Sequence, residues 1–128
     1  MNSVTDAASP LVAVVEDDAP SRAALGRLLR AGGFEPALFP SAEAFIDAPP
    51  DRDPMCLILD VQLGGISGID LQDRLRAAGS ALPIIVITAL TDESLRNRAE
   101  RTGCTAFLRK PFSATALLGA IAGLARSA

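Results

Sequence analysis

The 128-residue sequence contains no histidine, no tryptophan and no tyrosine. Without histidine there is no Ser-His-Asp or Cys-His catalysis, no HExxH zinc site and no histidine phosphorelay on this chain. Five phenylalanines are too few for a surface that stacks bases or sugars. Positive charge is also scarce. Twelve Lys+Arg against fifteen Asp+Glu leave a net charge of −3, which argues against a phosphate-backbone binder. The two cysteines, Cys56 and Cys104, match no CxxC or metal spacing. One disulfide is arithmetically open, but two reduced, buried thiols in a cytoplasmic protein is the preferred reading. The opening MNSVTDAASP lacks the basic and apolar regions of a signal peptide. No apolar run reaches the ~18–20 residues that span a bilayer. A soluble, cytoplasmic protein is expected.

Hydrophobic residues make up 49% of the chain, enough for a core, and the length suits one domain. Residues 1–10 read as a short disordered leader. Short apolar runs then alternate with amphipathic stretches. Residues 11–15 (LVAVV) read as a strand buried on both faces, 55–59 (MCLIL) as another buried strand, and 83–88 (PIIVIT) as a further strand. Residues 34–39 (FEPALF) form a weaker strand that Pro36 sends to a sheet edge, and 105–108 (TAFL) form a fifth. Helix starts are signalled by Asp18 with Pro20, by Ser41, by Ser67 with Asp70 as a capping box, by Thr91 or Asp92, and by Ser113. Stops fall at Gly32–Gly33, Ala48, Ala78, Gly103 and about Arg126. Five strands alternating with five helices predict an α/β domain with a doubly wound, five-stranded parallel sheet.

Ligand sites in such sheets lie at the carboxyl ends of the strands. Glu16-Asp17-Asp18 follows the first strand, Asp60 ends the third, Thr88 ends the fourth, and Lys110-Pro111 follows the fifth. Asp18 reads as a helix cap. Glu16, Asp17 and Asp60 repel one another unless a cation joins them. One Mg²⁺ and Lys110 would balance their charge, and hard oxygen ligands with room for waters suit that ion. A site balanced in this way can accept a phosphoryl group.

The segments VVEDD, LILDVQLGGISG, IVITA and LRKPF, in this order on the expected elements, resemble the receiver domain of bacterial two-component response regulators. The resemblance covers residues 11–126. The spacings, 28 residues from Asp60 to Thr88 and 22 from Thr88 to Lys110, look most like receivers of the FixJ/NarL type. It implies a flavodoxin/CheY-like fold with strand order 2-1-3-4-5. It also implies that Asp60 is the phosphoacceptor, attacking the phosphorus of a phosphohistidine on a partner kinase. Asp17 and Asp60 would ligate Mg²⁺ with the backbone carbonyl of Gln62, and Glu16 would act through a water. Thr88 would hydrogen-bond a phosphoryl oxygen, Lys110 would pair with the phosphoryl group, and Phe107 stands where the family has its aromatic switch. Pro111 would follow a cis bond that turns Lys110 into the site.

The implied partners are a sensor histidine kinase or a phosphotransfer protein, with no membrane. Nucleic acid would enter only through an output domain missing from this sequence, which is either a stand-alone receiver or a piece of a DNA-binding regulator. Two positions depart from the family pattern. Gly64 stands where proline is usual and loosens the loop that supplies the Gln62 carbonyl. Leu90, two residues past Thr88, offers no polar group to orient an attacking water, so slow loss of the phosphoryl group is expected.

Residues 113–125 (SATALLGAIAGLA) carry no charge. Helical spacing turns Leu117, Leu118, Ile121 and Leu124 inward and leaves Ala116, Gly119, Ala120 and Gly123 largely outward, which predicts a contact face for self-association or a partner after phosphorylation. Two other functions compete. A haloacid-dehalogenase-like phosphatase needs DxD, and Gln62 occupies its second acidic position, with no room for a cap domain. A phosphorylation-independent interaction module would be expected to lose part of the acid–Thr–Lys set, which is complete here. Gly64-Gly65-x-x-Gly68 is not GxGxxG and reads as a flexible turn.

Overall fold

Apolar runs without polar alternation are accommodated where both faces of a strand are covered. The computed structural model describes residues 9–127 and places these runs there. The strands are β1 (Leu11–Val15), β2 (Glu35–Phe39), β3 (Cys56–Asp60), β4 (Ile84–Thr88) and β5 (Ala106–Arg109). The helices are α1 (Ala19–Ala31), α2 (Ala42–Asp47), α3 (Gly68–Ala77), α4 (Glu93–Arg101) and α5 (Ala114–Ser127). All pairings are parallel, in the order β2-β1-β3-β4-β5. Pro36, which has no N–H to give a ladder, lies on the edge strand β2.

The pleat divides the core in two. Ala13, Val15, Leu57, Leu59, Ile84 and Val86 face α2, α3 and α4 through Ala42, Phe45, Ile69, Leu71 and Ala99. Val12, Val14, Cys56, Ile58, Ile85 and Ile87 face α1 and α5 through Leu25, Leu29, Leu117 and Ile121. Burial pushes the Cys56 thiol up to about 12, so it stays protonated and inert; Cys104 is half-buried, and both cysteines are free. Among the described residues no helix is long and apolar enough to cross a membrane.

The caps follow the side chains named for them. Asp18 accepts from Ser21 N at 2.9 Å, Ser41 from Ala44 N at 3.0 Å, Ser67 from Asp70 N at 3.1 Å, and Ser113 from Ala116 N at 3.0 Å. Between the two candidates for α4, Asp92 is the cap, accepting from Ser94 N at 2.9 Å. Phe34 does not open β2, because its N–H is committed to Leu29 O at 2.9 Å and closes α1. Residues 1–8 of the expected leader lie outside the described residues. Within the rest of it, the Ser9 carbonyl accepts from Arg52 and the Pro10 carbonyl from Glu35 N, at 2.8 and 2.9 Å.

On α5 the inward stripe differs from the expectation. Leu117 and Ile121 are buried and Leu124 packs against them, but Ala120 is also half-buried against the same cluster. Leu118 packs over the end of α1, where a Cβ at Gly32 would lie 2.7 Å from Leu118 Cδ2. Ala116 and Gly119 remain exposed, and Gly123 is half-buried.

Candidate functional site

Sheet register sets the site. Asp60 pairs with Ile87, one residue before Thr88, and the ladder runs one residue past β1, where Glu16 N donates to Phe39 O at 3.1 Å. Arg22 of α1 donates to the Glu16 carbonyl at 2.9 Å and the Asp17 carbonyl at 3.4 Å, so the first turn of the helix holds the acidic run. Asp18 caps that helix and also sends its own N–H to Glu16 Oε2 at 3.2 Å. On the other side, Lys110 N donates to Thr88 O at 2.7 Å, and the Lys110–Pro111 bond is cis.

The ammonium of Lys110 lies 2.8 Å from Glu16 Oε1 and 2.8 Å from Asp60 Oδ2. Glu16 is 1% exposed and Asp60 4%, so both carboxylates are out of water and this lysine is what compensates them. The second oxygen of Asp60 accepts from Gln62 N at 2.8 Å. Burial raises the pKa of Glu16 above the ordinary carboxylate value, against the opposing pull of Lys110 and the Asp18 N–H. For Lys110, burial alone would lower the pKa. Hydrogen bonds to Asp60 and Glu16 outweigh it, and the net shift is upward.

Thr88 is fully buried and its hydroxyl accepts from Leu90 N at 3.0 Å, which leaves the hydroxyl proton available as a donor. Asp17 stands exposed at the rim, with Oδ2 3.4 Å from Gly64 N. Phe107 is half-buried on β5 against the α4 side of the core, and Arg96 of α4 lies 5.4 Å from its ring centroid. A cleft of about 620 Å³ opens beside Lys110, lined on its apolar side by Ala24, Leu25 and Leu28 of α1 and by Phe112.

Among the described residues no three His, Cys, Asp or Glu side chains gather as a metal cluster by themselves. Two of the three site carboxylates meet Lys110 instead. What remains is an exposed Asp17, the buried carboxylate of Asp60 and the backbone of an exposed Gln62, all oxygen donors, two of them on residues exposed to water. That donor set fits Mg²⁺, which keeps several waters and takes few protein ligands.

The family model of the response regulator receiver domain matches residues 12–122. The chain belongs to this family. The receiver is 38% identical over 115 residues to the transcriptional regulatory protein FixJ of Bradyrhizobium diazoefficiens, covering 90% of this chain and 56% of that protein. It superposes on full-length FixJ from B. japonicum with a TM-score of 0.86 at 36% identity, covering 94% of this chain and 60% of the other. It is also similar to a response regulator receiver protein from Burkholderia phymatum, with a TM-score of 0.78 at 42% identity over 90% and 94% of the two chains. The chain thus spans about half the length of the curated relatives it matches, 56% in the case of FixJ. It is the receiver domain of a two-component response regulator, with the CheY-like strand order of that family.

The structure brings Glu16, Asp60 and Lys110 of the receiver into direct contact, and register carries Thr88 to the same strand-end layer. Asp17 and Gln62 join through the β3–α3 loop. Sequence reasoning missed Arg22, Glu43 and the packing role of Gly68. Arg22 was discoverable, since an arginine in the first turn of a helix sits near the carbonyls that precede it. No local signal points to Glu43, whose hydrogen-bond partner Ile66 is 23 positions away.

Proposed function

We propose that this receiver accepts a phosphoryl group on Asp60 from a phosphohistidine of a sensor histidine kinase or a phosphotransfer protein. Its α4–β5–α5 face then switches. The observation that carries this reading is the state of Asp60, a buried carboxylate with both oxygens held by N–H donors at 2.8 Å. One Asp60 oxygen bonds to phosphorus as the bond from phosphorus to the donor imidazole nitrogen breaks. The electron pair leaves with that nitrogen, which is protonated on the donor. Such a transfer asks mainly for positioning and charge neutralisation.

Lys110 exchanges its contact with the Asp60 carboxylate for the phosphoryl oxygens, an attraction of about 4 kcal/mol for charges ~4 Å apart at an effective dielectric near 20. Thr88 donates its free hydroxyl proton to a phosphoryl oxygen. Mg²⁺ held by Asp17, Asp60 and the Gln62 carbonyl, with Glu16 acting through a water, would supply the remaining positive charge. The apolar cleft along α1 gives the donor protein a surface next to Lys110. Leu90 has no group to align a water, so the phosphoryl group is lost slowly and the domain is a stoichiometric acceptor rather than a turnover enzyme. A cytoplasmic setting agrees with two free thiols. Contact with nucleic acid would require an output segment outside the receiver.

Incubation with acetyl phosphate and Mg²⁺ is expected to add one HPO₃ unit by intact mass, and Asp60→Asn is expected to abolish it. Asp17→Asn should block labelling, while Asp18→Asn, which keeps a good helix cap, should leave it intact. An adduct that survives in Asp60→Asn places the acceptor elsewhere. A wild type that takes no label is a phosphorylation-independent module, and one that turns over phosphomonoesters is a phosphatase.

Self-association on phosphorylation is proposed through α5, whose residues 114–125 carry no charge and whose Ala116 and Gly119 are exposed. Ala116→Glu tests this better than a change at the half-buried Ala120. The variant should be labelled normally yet stay monomeric by light scattering in the presence of phosphodonor. Wild type that stays monomeric when labelled shows that α5 is no interface between copies.

A further inference from the structure

The loop between β3 and α3 is tied down from a distant part of the chain. Glu43, in the first turn of α2, reaches across so that Oε2 accepts the Ile66 N–H at 3.1 Å. The loop is shaped around this carboxylate. Gly65 has φ +81°, and a side chain there would run into Glu43, whose Cδ lies 3.3 Å from the Cβ position. The other oxygen, Oε1, is buried with no hydrogen-bond partner. A carboxylate oxygen without a partner is unfavourable away from water, so packing and the Ile66 bond, rather than solvent, fix this orientation. The Ile66 N–H, then Glu43's own amide, hold its carboxyl below the ordinary range, which keeps it the stronger acceptor.

The same loop carries Gln62 and Gly64. Its first end is pinned where Gln62 N meets Asp60 Oδ1 at 2.8 Å. Next come Gly64 and Gly65, two adjacent residues with the widest backbone freedom, and the bond from Gly64 N to Asp17 is long at 3.4 Å. Glu43 supplies the firm anchor on the far side of both glycines. We propose that Glu43 is a positioning residue of the acceptor site: by pinning Ile66 it fixes the glycine loop that presents the Gln62 carbonyl to the acidic pocket. This rests on the magnesium-dependent acceptor function proposed above.

The test pairs Glu43→Ala with Glu43→Gln and reads two quantities, amide hydrogen exchange at Ile66 by NMR and Mg²⁺ affinity by calorimetry. Glu43→Ala should speed exchange at Ile66 and weaken Mg²⁺ binding about tenfold, the lower end for a group that acts on ligands from outside the coordination shell. At saturating Mg²⁺ its labelling by acetyl phosphate should return to the wild-type rate. Glu43→Gln keeps an oxygen that can accept from Ile66 N and should restore both readouts. Unchanged exchange at Ile66, or faster exchange with unchanged Mg²⁺ affinity, overturns the proposal while the acceptor function stands. So does a glutamine variant as weak as alanine. A wild type that neither binds Mg²⁺ nor takes the label overturns both.

Discussion

The Gly68→Ala variant is expected to unfold at a much lower urea concentration than wild type, although it adds a single methyl group. Gly68 opens α3, is buried, and donates its N–H to Val61 O at 3.2 Å. A Cβ at this position would overlap the Asp60 carbonyl oxygen, with the carbonyl carbon 2.8 Å away and Val61 Cα 3.0 Å away. All three are backbone atoms, so no rotamer relieves the overlap. Either α3 lifts from the sheet or the end of β3 moves. Overpacking costs 1–3 kcal/mol where side chains can yield, and about 3 kcal/mol is expected here. With a urea slope near 1.5 kcal/mol/M that is a midpoint shift of about 2 M. The atoms displaced belong to Asp60 and its neighbour, so labelling of the folded variant should fall as well.

Gly119→Ala is the matched control. Gly119 lies exposed inside α5 with nothing within 4 Å of its Cβ position, so the same methyl should raise stability by about 1 kcal/mol through helix propensity. Equal, small effects at the two glycines would show that the close approach of α3 to β3 does not exist.

These two glycines mark where reading the sequence stops. Both are visible as glycines in or beside a helix, but only the fold shows which one faces a neighbouring backbone. The strand-end residues were legible for a simple reason. Each buried strand is an unbroken apolar run, and the first polar residue of its end marks the carboxyl edge, as at Glu16, Asp60 and Thr88, whereas on the half-buried β5 Arg109 comes first and Lys110 second. Helix caps were legible because they depend on side chains within three positions. The face of α5 was only half legible. In a run of Ala, Gly and Leu many stripes are equally apolar, and periodicity alone does not show that Leu118 packs on Gly32 at the end of α1 or that Ala120 is half-buried. The attachment of α4 was not legible at all. Arg98 bridges to Asp70 and Asp73 of α3 at 3.1 and 2.9 Å, and the fully buried Gln72 donates to Ala99 O at 2.9 Å, contacts between residues more than twenty positions apart.

Removing the Lys110 ammonium is expected to destabilise the receiver strongly at neutral pH and less as pH falls toward 4.5. Lys110→Met keeps most of the apolar stem but leaves Glu16 and Asp60, 1% and 4% exposed, without the donor that sits 2.8 Å from each. Breaking a buried ion pair from one side costs 3–5 kcal/mol. The Lys110 side chain is 27% exposed, so water replaces part of its role and about 3 kcal/mol is the expected loss. The pH dependence follows from Glu16. Burial already raises its pKa above 4.5, and Lys110 is the first influence that opposes this. Without the ammonium the folded-state value climbs further. A carboxyl that binds its proton more tightly folded than unfolded makes stability fall as pH rises from the unfolded value through the folded one. The variant's deficit should therefore be largest above that raised value and should shrink as pH falls toward 4.5. At the alkaline end the sign reverses for wild type. Lys110 has a raised pKa, so its contribution is complete below its ordinary 10.5 and disappears as pH climbs through the folded value. The gap between the two proteins should be a dome, widest from neutral to mildly alkaline pH. Urea midpoints at several pH values, with a chelator so that no divalent cation replaces the lost charge, measure it. Adding Asp60→Asn to the variant should recover part of the loss by leaving one buried carboxylate instead of two. A deficit that is flat with pH, and that Asp60→Asn does not relieve, would mean that Lys110 contributes packing and not charge.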